Sequence, residues 1–192
     1  MRNEDIRSKK VMFASSCILN VNNKVKELAR YRGAFKELLE LMDEYDIGIQ
    51  QMDCPETLFL GVNRWSAVKN LYDTPAFRRI CREIAGRVAD YTFSYIQAGY
   101  CVVGILLING SPTCGCDMTC YDEKWGGTPT DFGNQSTFVE GKGILVEELI
   151  KTFEDRNIPL PELIGLNLED MSISLHDSCN KLRNYLATRM EE

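Results

Sequence analysis

The most hydrophobic run of the chain, Cys101 to Ile108, constrains its fold more than any other feature. The run contains no charged residue, and its apolar positions do not alternate with polar ones, so it predicts a strand buried on both faces. Such strands belong to parallel sheets that are covered by helices. The run therefore favours an α/β protein with this strand near the centre of the sheet.

Other segments of the chain extend this pattern. Apolar runs predict further strands at Val11 to Ser15, Ile47 to Met52 and Glu162 to Leu166. Apolar residues at helical spacing predict the intervening helices, at residues 28–45, 75–99, 145–157 and 175–186. This alternation predicts one domain over residues 1–192, with a parallel sheet of four to five strands and helices on both faces, Rossmann-like or flavodoxin-like. Residues 121–141 show turn chemistry without a period and predict a long loop.

Charge and cysteine content narrow the classes of function. The net charge of −6 argues against a broad nucleic-acid-binding face, which requires clustered basic residues. The charged N-terminal tail does not resemble a signal peptide, and no segment has the length of a membrane span, so we expect a cytoplasmic protein. Eight cysteines in a reducing compartment favour metal binding or catalysis over disulfides.

Cysteines follow three of the predicted strands. Cys17 comes after the first, Cys54 after the second and Cys114 after the third. Because ligands of open α/β sheets bind beyond the carboxyl ends of the strands, we expect these thiols to converge. A structural zinc ion normally takes four protein ligands, whereas three thiolates suit a cuboidal iron–sulfur cluster with one open iron. The sequence thus predicts a cluster site at this edge.

The remaining cysteines have other interpretations. Cys81, Cys101 and Cys179 lie inside predicted elements, where a cysteine is usually a small apolar side chain. Cys116 and Cys120 lie close to Cys114, and each stays open as a fourth ligand, a redox partner or a bystander. A zinc site with thiolate ligands also stays open at this point.

Two polar residues lie at the same predicted edge. Glu56 follows the second cysteine closely, and a carboxyl group beside a cluster can move protons; the alternative is a carboxylate at a helix start. Ser111 can hydrogen-bond a substrate or cap the segment that follows it. His176 is the only histidine and lies far from these motifs, so we do not expect it to be catalytic.

Three motifs, in chain order, resemble the signatures of a known family. Ser16-Cys17-Ile18-Leu19, Cys54-Pro55-Glu56 and Ser111-Pro112-Thr113-Cys114-Gly115 are similar to the S-C-L-L-G, C-P-E and S-P-S-C-G motifs of the TudS-type thiouracil desulfidases. Gly61 and Arg64 resemble a Gly-and-Arg element of that family. The similarity covers residues 16–115 and identifies a divergent, desulfidase-related branch.

The first region also departs from the family pattern. Asn20 replaces the glycine of the first motif, and Ala29 stands where the family often has a cysteine. Arg30-Tyr31-Arg32-Gly33 resembles the R-Y-D-G element, with Arg32 in place of its aspartate. Because these loops are expected to line the pocket, the departures bear on the substrate.

The resemblance implies a cofactor and a reaction. It implies that the three motif cysteines bind a 4Fe–4S cluster whose open iron takes the substrate sulfur, with Glu56 and Ser111 as catalytic residues. The implied activity is the non-redox removal of sulfur, as hydrosulfide, from a small thiocarbonyl compound such as a thiolated nucleobase. The alternative is a non-enzymatic iron–sulfur redox sensor or electron carrier in which Cys116 or Cys120 is the fourth ligand.

Overall fold

The structure is a computed structural model that describes residues 4–123 and 137–191. The described residues form strands and helices in alternation, with two short 3-10 turns at Val21–Asn23 and Lys26–Leu28. The strands are β1 (Lys10–Ser15), β2 (Gly48–Met52), β3 (Cys101–Ile108), β4 (Met118–Tyr121), β5 (Thr137–Glu140) and β6 (Leu163–Leu166). The helices are α1 (Ser16–Leu19), α2 (Lys36–Glu44), α3 (Pro55–Leu60), α4 (Lys69–Tyr72), α5 (Pro75–Gln97), α6 (Ile144–Asp155) and α7 (Leu175–Glu191).

A four-stranded parallel sheet lies at the centre of the fold. Its strand order is β2-β1-β3-β6, and every neighbouring pair is parallel. In the register of the sheet, Phe13 lies opposite Gln50 on one side and Ile105 on the other, and Ile105 lies opposite Leu163. The predicted α/β architecture with a parallel sheet is therefore confirmed, with four strands.

Helices cover both faces of this sheet. α5 packs against α6 and β3, while α2 packs against α7 and β2, and α7 also contacts β6. Right-handed crossovers explain this division. The connection from β1 to β2 runs toward one edge of the sheet, and the connections from β2 to β3 and from β3 to β6 run toward the other edge, so their helices lie on opposite faces. The core between the layers is apolar and continuous, and its fully buried side chains include Phe13, Leu38, Phe77, Ile105 and Phe153.

The boundaries of the longest helix follow from its sequence. The Thr74 hydroxyl accepts a hydrogen bond from the Phe77 amide at 3.2 Å, and Pro75 occupies the first helical position. Gly99 ends the helical segment with φ at +75°, a backbone conformation that glycine adopts without strain. The predicted helix over 75–99 is thus confirmed to within its terminal turn.

The helix predicted over residues 28–45 is wrong in its first half. Only Lys36–Glu44 is α-helical, and the preceding segment is a loop that packs against the chain after β1. The Phe35 amide donates to the Ile18 carbonyl, and the Val21 amide donates to the Gly33 carbonyl. These tertiary hydrogen bonds override the helical periodicity, as tertiary context commonly does.

The loop predicted over residues 121–141 needs correction at both ends. Tyr121 ends β4, and β5 occupies Thr137–Glu140; the two strands pair in an antiparallel ribbon. Residues 124–136 of the predicted loop lie outside the described residues. Among the helices of the described residues, none has the length and apolar character needed to cross a membrane.

Candidate metal centre at the carboxyl edge of the sheet

Cysteines from the ends of three strands line one cavity. Cys17 lies in α1 directly after β1, Cys54 precedes α3 after β2, and Cys114 lies in the turn after β3. The cavity has a volume of about 410 Å³, and we call it the cysteine cavity; its lining includes Cys17, Cys54, Cys114, Glu56, Ser111, Thr113, Cys120, Lys24, Arg64 and Glu169. The structure therefore brings together all five site residues predicted from the sequence.

The three thiols are desolvated and close enough to influence one another. Burial raises the pKa of Cys17 to about 12, the nearby Lys24 ammonium opposes this shift, and Cys54 adds to it. Burial raises the pKa of Cys114 well above its ordinary value, and Cys54 and Cys17 raise it further. Burial and the Glu56 carboxylate raise the pKa of Cys54. The raised pKa values favour neutral thiols in the metal-free protein, and a cationic metal group would be a suitable common partner for the three thiolates that form when it binds.

The turn that carries Cys114 is held by the Ser111 hydroxyl. Ser111 Oγ accepts hydrogen bonds from the Cys114 amide at 3.0 Å and from the Thr113 amide at 3.3 Å. A side chain at Gly115 would not fit, since its Cβ would lie 2.3 Å from the Met118 carbonyl oxygen. The turn is therefore closely packed on both sides, and Ser111 keeps its hydroxyl hydrogen for another acceptor.

Both carboxylate oxygens of Glu56 accept hydrogen bonds inside the cavity. Arg64 Nε donates to Oε2 at 2.9 Å, and Thr113 Oγ1 donates to Oε1 at 2.7 Å. The Arg64 guanidinium also donates to the Asn23 carbonyl at 2.8 Å and lies 3.7 Å from the Cys54 sulfur. Arg64 thus joins the carboxylate, one thiol and the loop after β1 in a single network.

A chain of hydroxyl groups connects Ser111 to Glu56. Ser111 Oγ and Thr113 Oγ1 are 3.3 Å apart, within the range of a weak hydrogen bond. Because the single hydroxyl hydrogen of Thr113 is directed to Glu56, Ser111 is the donor in this contact. Sequence reasoning did not single out Thr113, although its place inside the third motif was the available signal.

A second buried ion pair lines the cavity and was not predicted. Lys24 Nζ donates to Glu169 Oε1 at 2.9 Å, and the two side chains are 6% and 11% exposed. Lys24 follows the first 3-10 turn after β1, and Glu169 follows β6. The fourth strand was predicted correctly, so the rule that ligands bind beyond strand ends could have identified Glu169.

The other cysteines divide into one that lines the cavity and four that do not. Cys120, in β4, lines it. The Cys116 sulfur instead donates to the Leu163 carbonyl at 3.6 Å. Cys81 is fully buried in the core, Cys179 is half-buried in α7, and Cys101 is exposed at the start of β3. All eight cysteines are described, and no disulfide joins any two of them.

Two further features bear on the chemistry of the site. His176, for which no catalytic role is predicted, is exposed on α7 and is not among the residues that line the cavity. Within residues 4–123 and 137–191, no three His, Cys, Asp or Glu side chains are arranged to hold one metal ion. A single zinc ion needs its thiolate ligands at about 2.3 Å, and the described side chains do not show such an arrangement.

Comparisons with known proteins place the chain only broadly. No family model matches it, and no solved structure matches it. An uncharacterized protein of the archaeon Methanocaldococcus jannaschii is 29% identical over 153 residues, which cover 80% of this chain and 83% of the relative. The fold therefore defines the class, an α/β protein with a four-stranded parallel sheet, and the function must be argued from the site.

Proposed function

We propose that this protein is a 4Fe–4S-dependent desulfidase that removes sulfur, as hydrosulfide, from a small thiocarbonyl compound such as a thiolated nucleobase. One observation carries the proposal: thiols from three separate strand ends line a single cavity together with a buried carboxylate and a serine. The resemblance of the three motifs to those of the TudS-type desulfidases supports the same function.

The cluster would be held by Cys17, Cys54 and Cys114. Three thiolates serve three irons of a cuboidal cluster and leave the fourth without a ligand from this set. When bound, the cluster supplies a Lewis-acidic, thiophilic iron for the sulfur of the substrate. The Lys24 and Arg64 side chains lie beside these thiols and offset part of the negative charge of the thiolates.

Glu56 is the group that receives protons in the proposed reaction. Water adds to the thiocarbonyl carbon, the carbon–sulfur bond breaks, and the products are a carbonyl compound and hydrosulfide, with no net transfer of electrons. The Glu56 oxygens accept hydrogen bonds from Arg64 and Thr113, and because a carboxylate has about four acceptor sites, it can still take the proton that water loses. Arg64 and Thr113 hold the carboxylate in position for this transfer.

Ser111 has two tasks in this arrangement. Its oxygen accepts the Thr113 and Cys114 amides and thereby fixes the turn that presents Cys114. Its hydrogen is directed toward Thr113, and so toward Glu56, or toward a bound substrate. Ser111 therefore links the position of one thiol to the proton-accepting carboxylate.

The cavity suits a small, largely apolar ring. A volume of about 410 Å³ lies within the usual range for small-molecule sites. Apolar residues form much of its wall, including Trp65, Ala67, Ile108 and Phe138. Ala67 and Ile108 are buried, whereas Trp65 and Phe138 are partly exposed, so the apolar wall extends from the interior to the protein surface.

Metal analysis tests the proposal first. Protein purified without oxygen is expected to contain roughly four irons per chain with matching acid-labile sulfide and a brown colour. It is then expected to release sulfide from 2-thiouracil or 4-thiouracil. Zinc in place of iron, or no metal after attempted reconstitution, would contradict the cluster. An intact cluster without sulfide release from any thiolated base would contradict the enzyme.

A second candidate is an iron–sulfur redox protein with four protein ligands. Cys120 lines the same cavity, which favours this candidate. The Cys116 sulfur instead donates to the Leu163 carbonyl, so Cys120 is the better fourth ligand. Cys120→Ala separates the two functions, with Cys116→Ala as the matched control. The desulfidase is expected to keep its cluster in both variants, whereas the redox protein loses it in Cys120→Ala only.

A further inference from the structure

The Lys24–Glu169 ion pair has features of a recognition site. The ammonium can donate three hydrogen bonds and the carboxylate can accept about four. Among the described residues, the hydrogen bonds of both side chains are confined to the one contact between them. The pair lines the cysteine cavity, so the remaining donors and acceptors face the space in which a substrate would bind.

The loop after β6 has several anchors besides the ion pair. The loop after β6 is fixed by Arg30, whose guanidinium donates to the Asp170 carbonyl at 3.0 Å and the Ile173 carbonyl at 2.7 Å. Leu168 is buried beside it, and the Ser178 hydroxyl donates to the Asn167 carbonyl at 3.2 Å. A buried ion pair carries a large desolvation cost, and apolar residues of similar volume are often as stable, so stability alone does not explain why two charged residues stand here.

The charges around the cavity indicate a neutral ligand. Lys24 and Glu169 form a pair without net charge, and so do Arg64 and Glu56. Glu27, an exposed carboxylate that also lines the cavity, adds a negative charge. The charged side chains that line the cavity thus supply no excess of positive charge to attract an anionic substrate. A group with a hydrogen-bond acceptor next to a donor would match Lys24 and Glu169 directly.

We propose that Lys24 and Glu169 select substrates that carry a lactam edge, in which a ring N–H lies beside a carbonyl group. Lys24 Nζ donates to the carbonyl oxygen, and the Glu169 carboxylate accepts the N–H. This inference rests on the proposed function, since it assigns the substrate class of the same cavity: thiolated heterocycles that retain one N–H and one adjacent carbonyl. Acyclic thiocarbonyl compounds without an N–H fall outside this class.

Binding of oxygen analogues tests the inference without requiring turnover. The probes are uracil, which has lactam edges, and 1,3-dimethyluracil, in which both N–H groups are methylated. Anaerobically purified protein is expected to bind uracil at least about tenfold more tightly than the dimethyl compound, as measured by calorimetry, because an unpaired buried acceptor is strongly unfavourable. Sulfide release from 2-thiouracil and its N-methylated derivative is expected to show the same preference.

The Glu169→Gln variant tests the residue itself. The Gln oxygen can still accept from Lys24, but its amide nitrogen then faces the ligand N–H, donor against donor. The preference for uracil over the dimethyl compound is expected to fall about tenfold or more, with iron content unchanged. Glu44→Gln is the matched control, since Glu44 forms an exposed ion pair with Arg183 and does not line the cavity; it is expected to leave the preference unchanged.

The outcomes separate this inference from the proposed function. Sulfide release that is indifferent to N-methylation and to Glu169→Gln would overturn the inference and leave the desulfidase intact. Selective uracil binding without any sulfide release would support the inference and contradict the desulfidase. Equal or absent binding of both probes to the wild-type protein would overturn the inference even if Glu169→Gln failed to fold. If the ion pair is purely structural, Glu169→Gln will lower the melting temperature without changing the ratio of the two affinities, and that outcome would also overturn the inference.

Discussion

The cysteine cavity contains two buried ion pairs that differ in how completely they are hydrogen-bonded. In Glu56–Arg64, both carboxylate oxygens accept, and the guanidinium donates to several groups of the protein. In Lys24–Glu169, a single contact joins the two side chains. A side chain whose hydrogen-bonding atoms are all paired with the protein is held in a fixed position for chemistry. A side chain with unpaired donors or acceptors can use them to recognise a ligand. This difference underlies our proposal that the same pairing of charges serves two different purposes.

The largest expected effect comes from the three thiols that line the same cavity as both ion pairs. Cys114→Ala removes one of the three proposed ligands, and the variant is expected to lose most of its iron and its brown colour, because a cluster with two protein ligands dissociates readily. Iron and acid-labile sulfide per chain measure this directly. Full iron content in Cys114→Ala would mean that another residue completes the ligand set, with Cys120 the first to examine.

The next prediction tests the Glu56–Arg64 pair separately from the Lys24–Glu169 pair. Glu56→Gln keeps the size of the side chain and can still accept from Arg64 or Thr113, but it is a poor proton acceptor. Sulfide release is expected to fall by about 10² to 10⁴-fold, the usual contribution of a general base, while the visible spectrum of the cluster stays unchanged. The uracil preference assigned to the Lys24 side is expected to persist. A fully active Glu56→Gln protein would remove Glu56 from the mechanism.

A further prediction concerns Thr113, whose hydroxyl group donates a hydrogen bond to Glu56. Thr113→Val is nearly isosteric and leaves Glu56 Oε1 without its 2.7 Å donor, so sulfide release is expected to fall about tenfold or more. Thr113→Ser restores the hydroxyl and is expected to recover most of the activity with the wild-type pH profile. Equal activity of the Val and Ser variants would show that the hydroxyl chain from Ser111 has no part in positioning Glu56.

The sequence predicts this site unevenly, for physical reasons. Cys17, Cys54 and Cys114 were found because a parallel sheet brings its strand ends to one edge, a consequence of topology alone. The predicted partnership of Glu56 with the thiols had the same basis. Lys24 was missed because it lies beyond a 3-10 turn in a segment whose path depends on tertiary contacts.

The same limitation affected the fold. The spacing of hydrophobic residues identified the buried strands, and the same spacing together with the Thr74 cap identified the long helix that follows. These elements depend on local sequence pattern. Prediction from spacing failed at residues 28–35, where apolar spacing is helical but the Tyr31 hydroxyl donates to the Cys17 carbonyl at 2.8 Å. A side chain recruited to support the site takes its backbone out of the helix, and no local pattern records such a long-range contact.

The smallest expected effect concerns a cysteine outside the cavity. Cys81 is as buried as Cys114, but it lies in α5 within the apolar core. Cys81→Ala removes one sulfur atom from a packed interior, so it is expected to lower the free energy of unfolding by about 1 kcal/mol, as measured in urea, without changing iron content or sulfide release. Loss of iron in this variant, with the fold intact, would show that burial and not position at the strand ends selects the ligands. Since both cysteines are buried thiols, only their place relative to the sheet edge can account for opposite results.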